Sequence, residues 1–147
     1  GAYHHLPHGV CVSLLLQEVM KFNAGEVPTK MGTFPQYKYP NTLRRYCEIA
    51  EMLGITGKNN QDKFNKLIKK IDSLQREIEL PMTIKEAGID ETKFLASLDE
   101  MSEAAFNDQC TGTNPRYPLI SEVKTIYLKA YYGETEYNKK YTKSLKK

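Results

Sequence analysis

The chain has 147 residues, 40% of them hydrophobic, which is enough for one folded domain and excludes an intrinsically disordered chain. Its net charge is +3, and the five lysines and two glutamates of residues 133–147 account for the whole excess. A nucleic-acid-binding domain normally has a basic face on its folded body, so we expect no nucleic-acid partner. We predict a helical domain over residues 1–133 and a solvated basic tail over residues 134–147.

Cysteine usage and hydropathy indicate the compartment. The three cysteines, at positions 11, 47 and 110, form no Cys-x-x-Cys pair, which is typical of free thiols in a reducing environment. The longest apolar stretch, Val10–Met20, is interrupted by Ser13, Gln17 and Glu18 and is too short to span a bilayer. No signal-peptide pattern is present, so we predict a cytoplasmic protein with no membrane partner.

Apolar residues at helical spacing, separated by capping residues, Gly and Pro, predict an all-α bundle of about six helices. No segment alternates with the period of a strand. In chain order, the predicted helices are Gly9–Asn23; Thr42–Leu53, capped by Asn41 and closed by Gly54; one opened by Asn59 or Asn60 and ended by Pro81; a short one from Thr83 to Gly88; one capped by Asp90 and reaching Phe106; and one capped by Ser121 and closed by Gly133.

Two of these helices have a well-defined apolar face that we expect to be buried. The residues of the second helix on that face are Leu43, Tyr46, Cys47, Ile49, Ala50 and Leu53. Those of the third are Phe64, Leu67, Ile68, Ile71, Leu74 and Ile78. Between the first two helices, the proline-rich segment Ala24–Pro40 predicts an irregular connection that Phe34, Tyr37 and Tyr39 anchor to the body.

All three histidines lie in the first ten residues, at positions 4, 5 and 8. A Pro-His-Gly turn at a helix start can hold the imidazole of His8 rigidly enough to bind a metal. One histidine is not a site, however, because protein metal sites take three or four protein ligands. His8 is therefore either a metal ligand or a structural or exposed histidine. Since the chain begins with Gly inside this cluster, we also expect it to be a truncated part of a longer protein.

A second cluster of chemically distinctive residues spans Asp108–Arg116, a turn that Gly112 and Pro115 tighten. It is either a loop presented to a ligand, with Cys110 as an apolar contact, or a polar connection between helices. No companion base is evident beside Cys110 to make it a nucleophile.

These two segments resemble the iron-dependent (group III) alcohol dehydrogenases. The run His5–Val10 is similar to the Pro-His-Gly signature of that family. The run Ala105–Glu122, which contains Asp-Gln-Cys-Thr-Gly, resembles the C-terminal part of its bifunctional aldehyde-alcohol dehydrogenase branch, and Lys30–Tyr37 and Ala130–Gly133 support the same match.

The resemblance implies the later part of the helical, metal-binding half of an enzyme that reduces acetaldehyde to ethanol with NADH. In the family, one Asp and three His hold iron or zinc, and only the last ligand maps here, onto His8. His5 and Cys110 would lie near the substrate and the nicotinamide. The NAD-binding half and the aldehyde dehydrogenase module would precede this chain, and the whole protein would form a homo-oligomer or helical filament.

The isolated chain is therefore expected to bind neither metal nor NAD(H) and to be inactive. The alternative is a stand-alone helical interaction module whose histidines are structural.

Overall fold

The computed structural model describes residues 3–26 and 41–142, apart from the side chain of Thr142. Its α-helices are α1 His8–Ala24, α2 Thr42–Met52, α3 Asn60–Glu77, α4 Glu91–Asn107, α5 Ile120–Tyr132 and the short α6 Glu134–Tyr137. A 3-10 turn at Thr111–Thr113 precedes α5, and a π-helical turn at Asn138–Thr142 follows α6. No strand occurs in the described ranges, so the all-α prediction with about six helices is confirmed. None of these helices is long and apolar enough to cross a membrane.

Helix α1 lies between two hydrophobic clusters and contributes to both. Its Leu14 packs in the first cluster, with residues of α4, α5 and the 84–89 turn: Ile84, Phe94, Leu98, Leu128, Ala130, Tyr131 and Tyr132. Its Met20 packs in the second cluster, with residues of α2 and α3: Ala50, Phe64 and Leu67. Because one helix joins both clusters, the residues that α1 presents between them have a rigid support on either side.

Capping residues set several of the helix boundaries. The side chain of Asn59 accepts a hydrogen bond from the backbone N–H of Asp62 at 2.9 Å, and that of Asp90 accepts one from Lys93 at 3.0 Å, as predicted. Asn41 occupies the N-cap position of α2, but its side chain makes no capping bond.

The predicted Ser121 cap of α5 is wrong. The helix begins at Ile120, where the Glu122 carboxylate reaches back to accept a hydrogen bond from the Leu119 N–H at 2.9 Å. The charged carboxylate satisfies the free backbone donor before the helix, so the boundary lies upstream of the serine.

The predicted short helix over Thr83–Gly88 is a turn instead. The capping bonds do form: Thr83 Oγ1 accepts from the Glu86 N–H at 3.0 Å, and Glu86 accepts from the Met82 N–H at 2.8 Å. Gly88 then takes a left-handed conformation with φ 84°. The segment is too short to repay the cost of nucleating a helix before that glycine ends it.

The apolar faces predicted for α2 and α3 are buried only in part. Leu74 and Ile78 at the end of α3 are 53% and 57% exposed, and Ile49 and Leu53 of α2 are exposed as well. Gln75, which is not among the predicted apolar residues of this helix, is only 7% exposed.

Gln75 is buried because of the surface of α1 that it meets. The last turns of α3 meet a polar part of α1, where Gln75 accepts a hydrogen bond from Gln17 Nε2 at 2.6 Å and donates to the Ser13 carbonyl at 2.8 Å. Helical spacing gives the direction of a side chain but not the polarity of the surface that it meets.

The described part of the predicted basic tail is helical and packed, where we expected a solvated end. Tyr137 and Tyr141 pack against the first cluster. Lys140 Nζ donates hydrogen bonds to the Glu91 carboxylate at 2.5 Å and to the Tyr132 hydroxyl at 2.8 Å. Aromatic burial therefore continues the body beyond Gly133. The division at residue 133 remains a prediction, and residues 143–147 lie outside the described part.

Residues 27–40 also lie outside the described part of the chain. The predicted anchors Phe34, Tyr37 and Tyr39 and the Lys30–Tyr37 motif belong to that range.

Candidate functional site

The histidine segment forms a turn that leads into α1. Residues 3–5 are in turn conformation, and His5 has a φ of 53°. Pro7 occupies the N-cap position, its carbonyl accepts a hydrogen bond from the Cys11 N–H at 3.1 Å, and His8 is the first residue of the helix. Both His5 and His8 are exposed, so the His8 imidazole is accessible from outside the domain at the start of α1.

His4 is the histidine to which sequence reasoning gave no role, and it has a structural one. Its Nε2 lies 3.2 Å from the hydroxyl oxygen of Ser97 on α4. The Ser97 hydroxyl lies 3.1 Å from the carbonyls of Lys93 and Phe94, to which it can donate, so its oxygen is left to accept from the His4 ring. Partial burial lowers the pKa of His4, which favours the neutral imidazole near neutral pH. The bond fixes the turn before His8 to α4.

The described residues do not form a metal site by themselves. Nowhere in residues 3–26 and 41–142 do three or more His, Cys, Asp or Glu side chains cluster as ligands for a metal ion. That His8 is a metal ligand therefore stays a prediction.

A pocket of about 290 Å³ opens between α1, α5 and the loop that precedes α5, and we call it the Cys110 pocket. Most of the side chains around it are apolar. Its lining residues are Leu15, Val19, Phe22, Ala105, Cys110, Thr111, Asn114, Pro118, Val123, Ile126 and Tyr127. Neither His5 nor His8 belongs to this lining, so the structure does not bring the predicted site residues into one cavity.

His8 and the Cys110 pocket are nevertheless related through α1. Leu15 and Phe22 follow His8 at intervals of seven residues, which places the three within about 40° of one helix face. His8 precedes Leu15 by roughly 10 Å along the helix axis. The His8 imidazole therefore lies at the N-terminal end of the helix face that forms one wall of the pocket. The seven-residue spacing is visible in the sequence, but α1 is apolar on most sides, so the spacing alone does not single out this face.

Cys110 lies exposed at the rim of the pocket and is a free thiol. The neighbouring Asp108 carboxylate accepts a hydrogen bond from the Cys110 N–H at 2.7 Å. Its hydrogen bonding and negative charge raise the pKa of the Cys110 thiol. A thiol held in the protonated form is a poor nucleophile, so Cys110 is suited to contact a ligand and not to attack it.

Comparison with known proteins identifies the class of protein to which this architecture belongs. The model of the Fe-containing alcohol dehydrogenase family, C-terminal, matches residues 1–131. The chain therefore belongs to the iron-containing alcohol dehydrogenase family, and its described helices are those of the family's C-terminal helical domain.

The chain is similar to several enzymes that are named as alcohol dehydrogenases. The chain is 48% identical over 135 residues to the bifunctional aldehyde-alcohol dehydrogenase AdhE of Escherichia coli, covering 90% of this chain and 15% of that protein. It is 46% identical over 128 residues to the aldehyde-alcohol dehydrogenase of Clostridium acetobutylicum, covering 87% of this chain and 15% of the relative. The NADPH-dependent butanol dehydrogenase of Clostridium saccharobutylicum is 35% identical over 133 residues, which are 90% of this chain and 30% of that enzyme.

Solved structures share the fold. The iron-containing alcohol dehydrogenase of Thermococcus thioreducens superposes with a TM-score of 0.68 at 32% identity, covering 88% of this chain and 29% of that one. A 1,3-propanediol oxidoreductase superposes with a TM-score of 0.65 at 28% identity, covering 86% and 28% of the two chains. This chain thus spans between about a seventh and a third of the length of the relatives that it matches.

Proposed function

We propose that this chain is the C-terminal helical part of an NAD- and iron-dependent alcohol dehydrogenase module, which reduces acetaldehyde to ethanol within a bifunctional aldehyde-alcohol dehydrogenase. The observation that carries the proposal is the family match over residues 1–131, together with the 48% identity to a bifunctional relative over 90% of the chain.

In this proposal His8 is one ligand of the catalytic metal, iron or zinc. The position of His8 at the first residue of α1 and its exposure support this role. In the proposal, the other ligands come from a part of the enzyme outside this chain. Such a metal acts, when bound, as a Lewis acid on the aldehyde oxygen. The task of His8 is to present a neutral ring nitrogen at a fixed position.

The Cys110 pocket supplies the apolar side of the proposed substrate site. Leu15 and Phe22 of α1 and Cys110 of the loop would form the wall that contacts the carbon chain of an aldehyde. His5 and Cys110 are the residues that we place nearest the substrate and the nicotinamide. His5 is exposed beside His8, which leaves it free to face a second domain.

The proposed partners of this chain are the NAD-binding half and the aldehyde dehydrogenase module of the same polypeptide, with the whole protein forming a homo-oligomer or helical filament in the cytoplasm. The isolated chain is proposed to bind neither metal nor NAD(H) and to have no activity. No nucleic-acid or membrane partner is part of the proposal.

The proposal is tested with a chain extended upstream, so that the missing half of the module is present. We expect such a chain to oxidise NADH when acetaldehyde and a divalent metal are added, and the reaction is measured by the loss of NADH absorbance. The 147-residue chain is the negative control. An extended, folded chain that binds no divalent metal would refute the proposal.

A second candidate is a stand-alone helical interaction module with structural histidines. The hydrogen bond from His4 to Ser97 favours it, because at least one of the histidines has a structural role. It predicts that His8→Ala in the extended chain leaves aldehyde reduction unchanged.

A further inference from the structure

The side chain of Arg116 joins three elements around the Cys110 pocket. We propose that Arg116 is a positioning residue, which holds the 108–118 loop against α1 and α5 and so fixes the pocket wall that contains Cys110. The importance of that wall for catalysis rests on the proposed function, whereas the positioning itself is a property of this chain.

The guanidinium group of Arg116 makes two hydrogen bonds and packs on one aromatic ring. Its Nη1 donates to the carbonyl oxygen of Phe22 at 3.1 Å, in the last turn of α1, and its Nη2 donates to the carboxylate of Glu122 at 2.6 Å, in the first turn of α5. Its central carbon lies 4.0 Å from the centroid of the Phe22 ring. The Arg116 side chain is only 15% exposed, so these charge-assisted contacts are largely shielded from water.

A pair of amides continues this contact along the loop. The side chains of Asn114 and of the buried Asn23 in α1 exchange hydrogen bonds of 2.7 and 3.1 Å. The Asn114 amide also donates to the Arg116 carbonyl at 2.5 Å. Because Phe22 and Asn114 both line the Cys110 pocket, the contacts of Arg116 reach residues of two of its walls.

The geometry requires an arginine at this position. A planar fork reaches the α1 carbonyl and the α5 carboxylate at once, whereas the single ammonium of a lysine is a point charge on a flexible stem. The fork also fits closely beneath Gly25, where an added Cβ would lie 2.9 Å from Nη1. Its buried Nε has no hydrogen-bond partner within the described part of the chain.

The consequence of losing the fork is local. Without it, the loop is attached to α1 chiefly through the Asn23–Asn114 pair, and both Phe22 and the loop can move relative to α5. We expect the pocket-lining methyl groups of Val123 and Ile126 to change their surroundings, while the second cluster around Phe64 and Leu67 keeps its packing.

The experiment compares Arg116→Lys and Glu122→Gln with the unmodified 147-residue chain. The matched control is Arg45→Lys, because Arg45 makes a 2.7 Å contact with Glu48 on the exposed face of α2. Two quantities are measured by NMR: amide hydrogen exchange in the loop, and the methyl chemical shifts of the pocket residues. A residue that only adds stability lowers the melting temperature but leaves the native methyl shifts in place.

We expect Arg116→Lys to speed amide exchange at Thr111, Thr113 and Asn114 about tenfold, the factor that corresponds to losing roughly 1.4 kcal/mol of local stability. The Ile126 methyl shift should move, and the Ile68 methyl in the second cluster should not. Arg45→Lys should change neither quantity.

Unchanged loop exchange and an unchanged Ile126 shift in Arg116→Lys would overturn the proposal, and so would equal changes at Ile126 and Ile68. If Arg116→Lys does not fold, Glu122→Gln decides by the same two criteria. Failure of the extended chain to bind metal would refute the proposed function alone, since these measurements need neither metal nor cofactor.

Discussion

The contact between His4 and Ser97 fixes the turn that precedes His8, and its strength is measurable by a double-mutant cycle. Ser97→Ala removes the hydroxyl but also favours helix α4, since alanine is the better helix former by roughly 0.5 kcal/mol. That effect cancels when His4→Ala, Ser97→Ala and the double variant are combined. A neutral hydrogen bond contributes about 1 kcal/mol, and the 3.2 Å distance is long for such a bond, so we expect a coupling of about 0.5–1 kcal/mol.

The free energy of unfolding is measured by urea denaturation at pH 7.5, where His4 is neutral. Each single variant should also speed amide exchange at the turn, because the contact with α4 is lost in both. Ser73→Ala on α3 is a matched control, since among the described residues that hydroxyl bonds only the Lys69 carbonyl of its own helix. A coupling below about 0.3 kcal/mol, the usual limit of additivity, would show that His4 does not hold the turn.

Three further outcomes follow from burial and charge. Phe94 is 0% exposed and its ring centroid lies 4.3 Å from that of Tyr131, so Phe94→Ala should lower the free energy of unfolding by about 3–5 kcal/mol. Leu95→Ala, at a 39% exposed position, should lower it by less than about 1 kcal/mol. Equal losses in urea denaturation would contradict the described core. Asp108→Asn removes the charge that raises the pKa of Cys110, so more thiolate is present at pH 8 and iodoacetamide should modify Cys110 faster; an unchanged rate by mass spectrometry would exclude that cause. The pKa of His4 is lower in the folded than in the unfolded chain, so the contribution of His4 to stability is present above pH 6.5 and is lost as the pH falls through the folded pKa. His4→Ala should therefore weaken the decline in the free energy of unfolding between pH 7.5 and pH 5. An identical decline in the variant would show that the pKa of His4 is not lowered by folding.

Local signals in the sequence predicted the helices well. Asn59 and Asp90 cap their helices as expected, because a cap is a contact between near neighbours in the chain. Thr83–Gly88 shows the limit of such signals: the capping bonds form, yet the segment remains a turn whose Ile84 N–H bonds the Ala130 carbonyl of α5 at 2.9 Å. This tertiary contact adds to the effect of the short length, and the local pattern does not encode it.

In the candidate site, too, local features could be predicted from the sequence and contacts between distant residues could not. The Pro-His-Gly run predicted a histidine at a helix start, and His8 is the first residue of α1. The link from His4 to Ser97 spans 93 residues, and that from Arg116 to Phe22 spans 94, so no local pattern could reveal either. The pocket between α1 and α5 likewise depends on how distant helices pack.

We propose that His8 completes a metal site whose other ligands lie outside this chain. The most direct test is a titration of the upstream-extended chain with Zn²⁺ or, without oxygen, Fe²⁺, comparing His8→Ala with His5→Ala. Since loss of a residue that only supports a ligand weakens metal binding about 10–100-fold, we predict that His8→Ala weakens it by more than about a hundredfold, while His5→Ala leaves it nearly unchanged. Equal metal affinity in the His8→Ala variant and the unmodified extended chain would contradict the account.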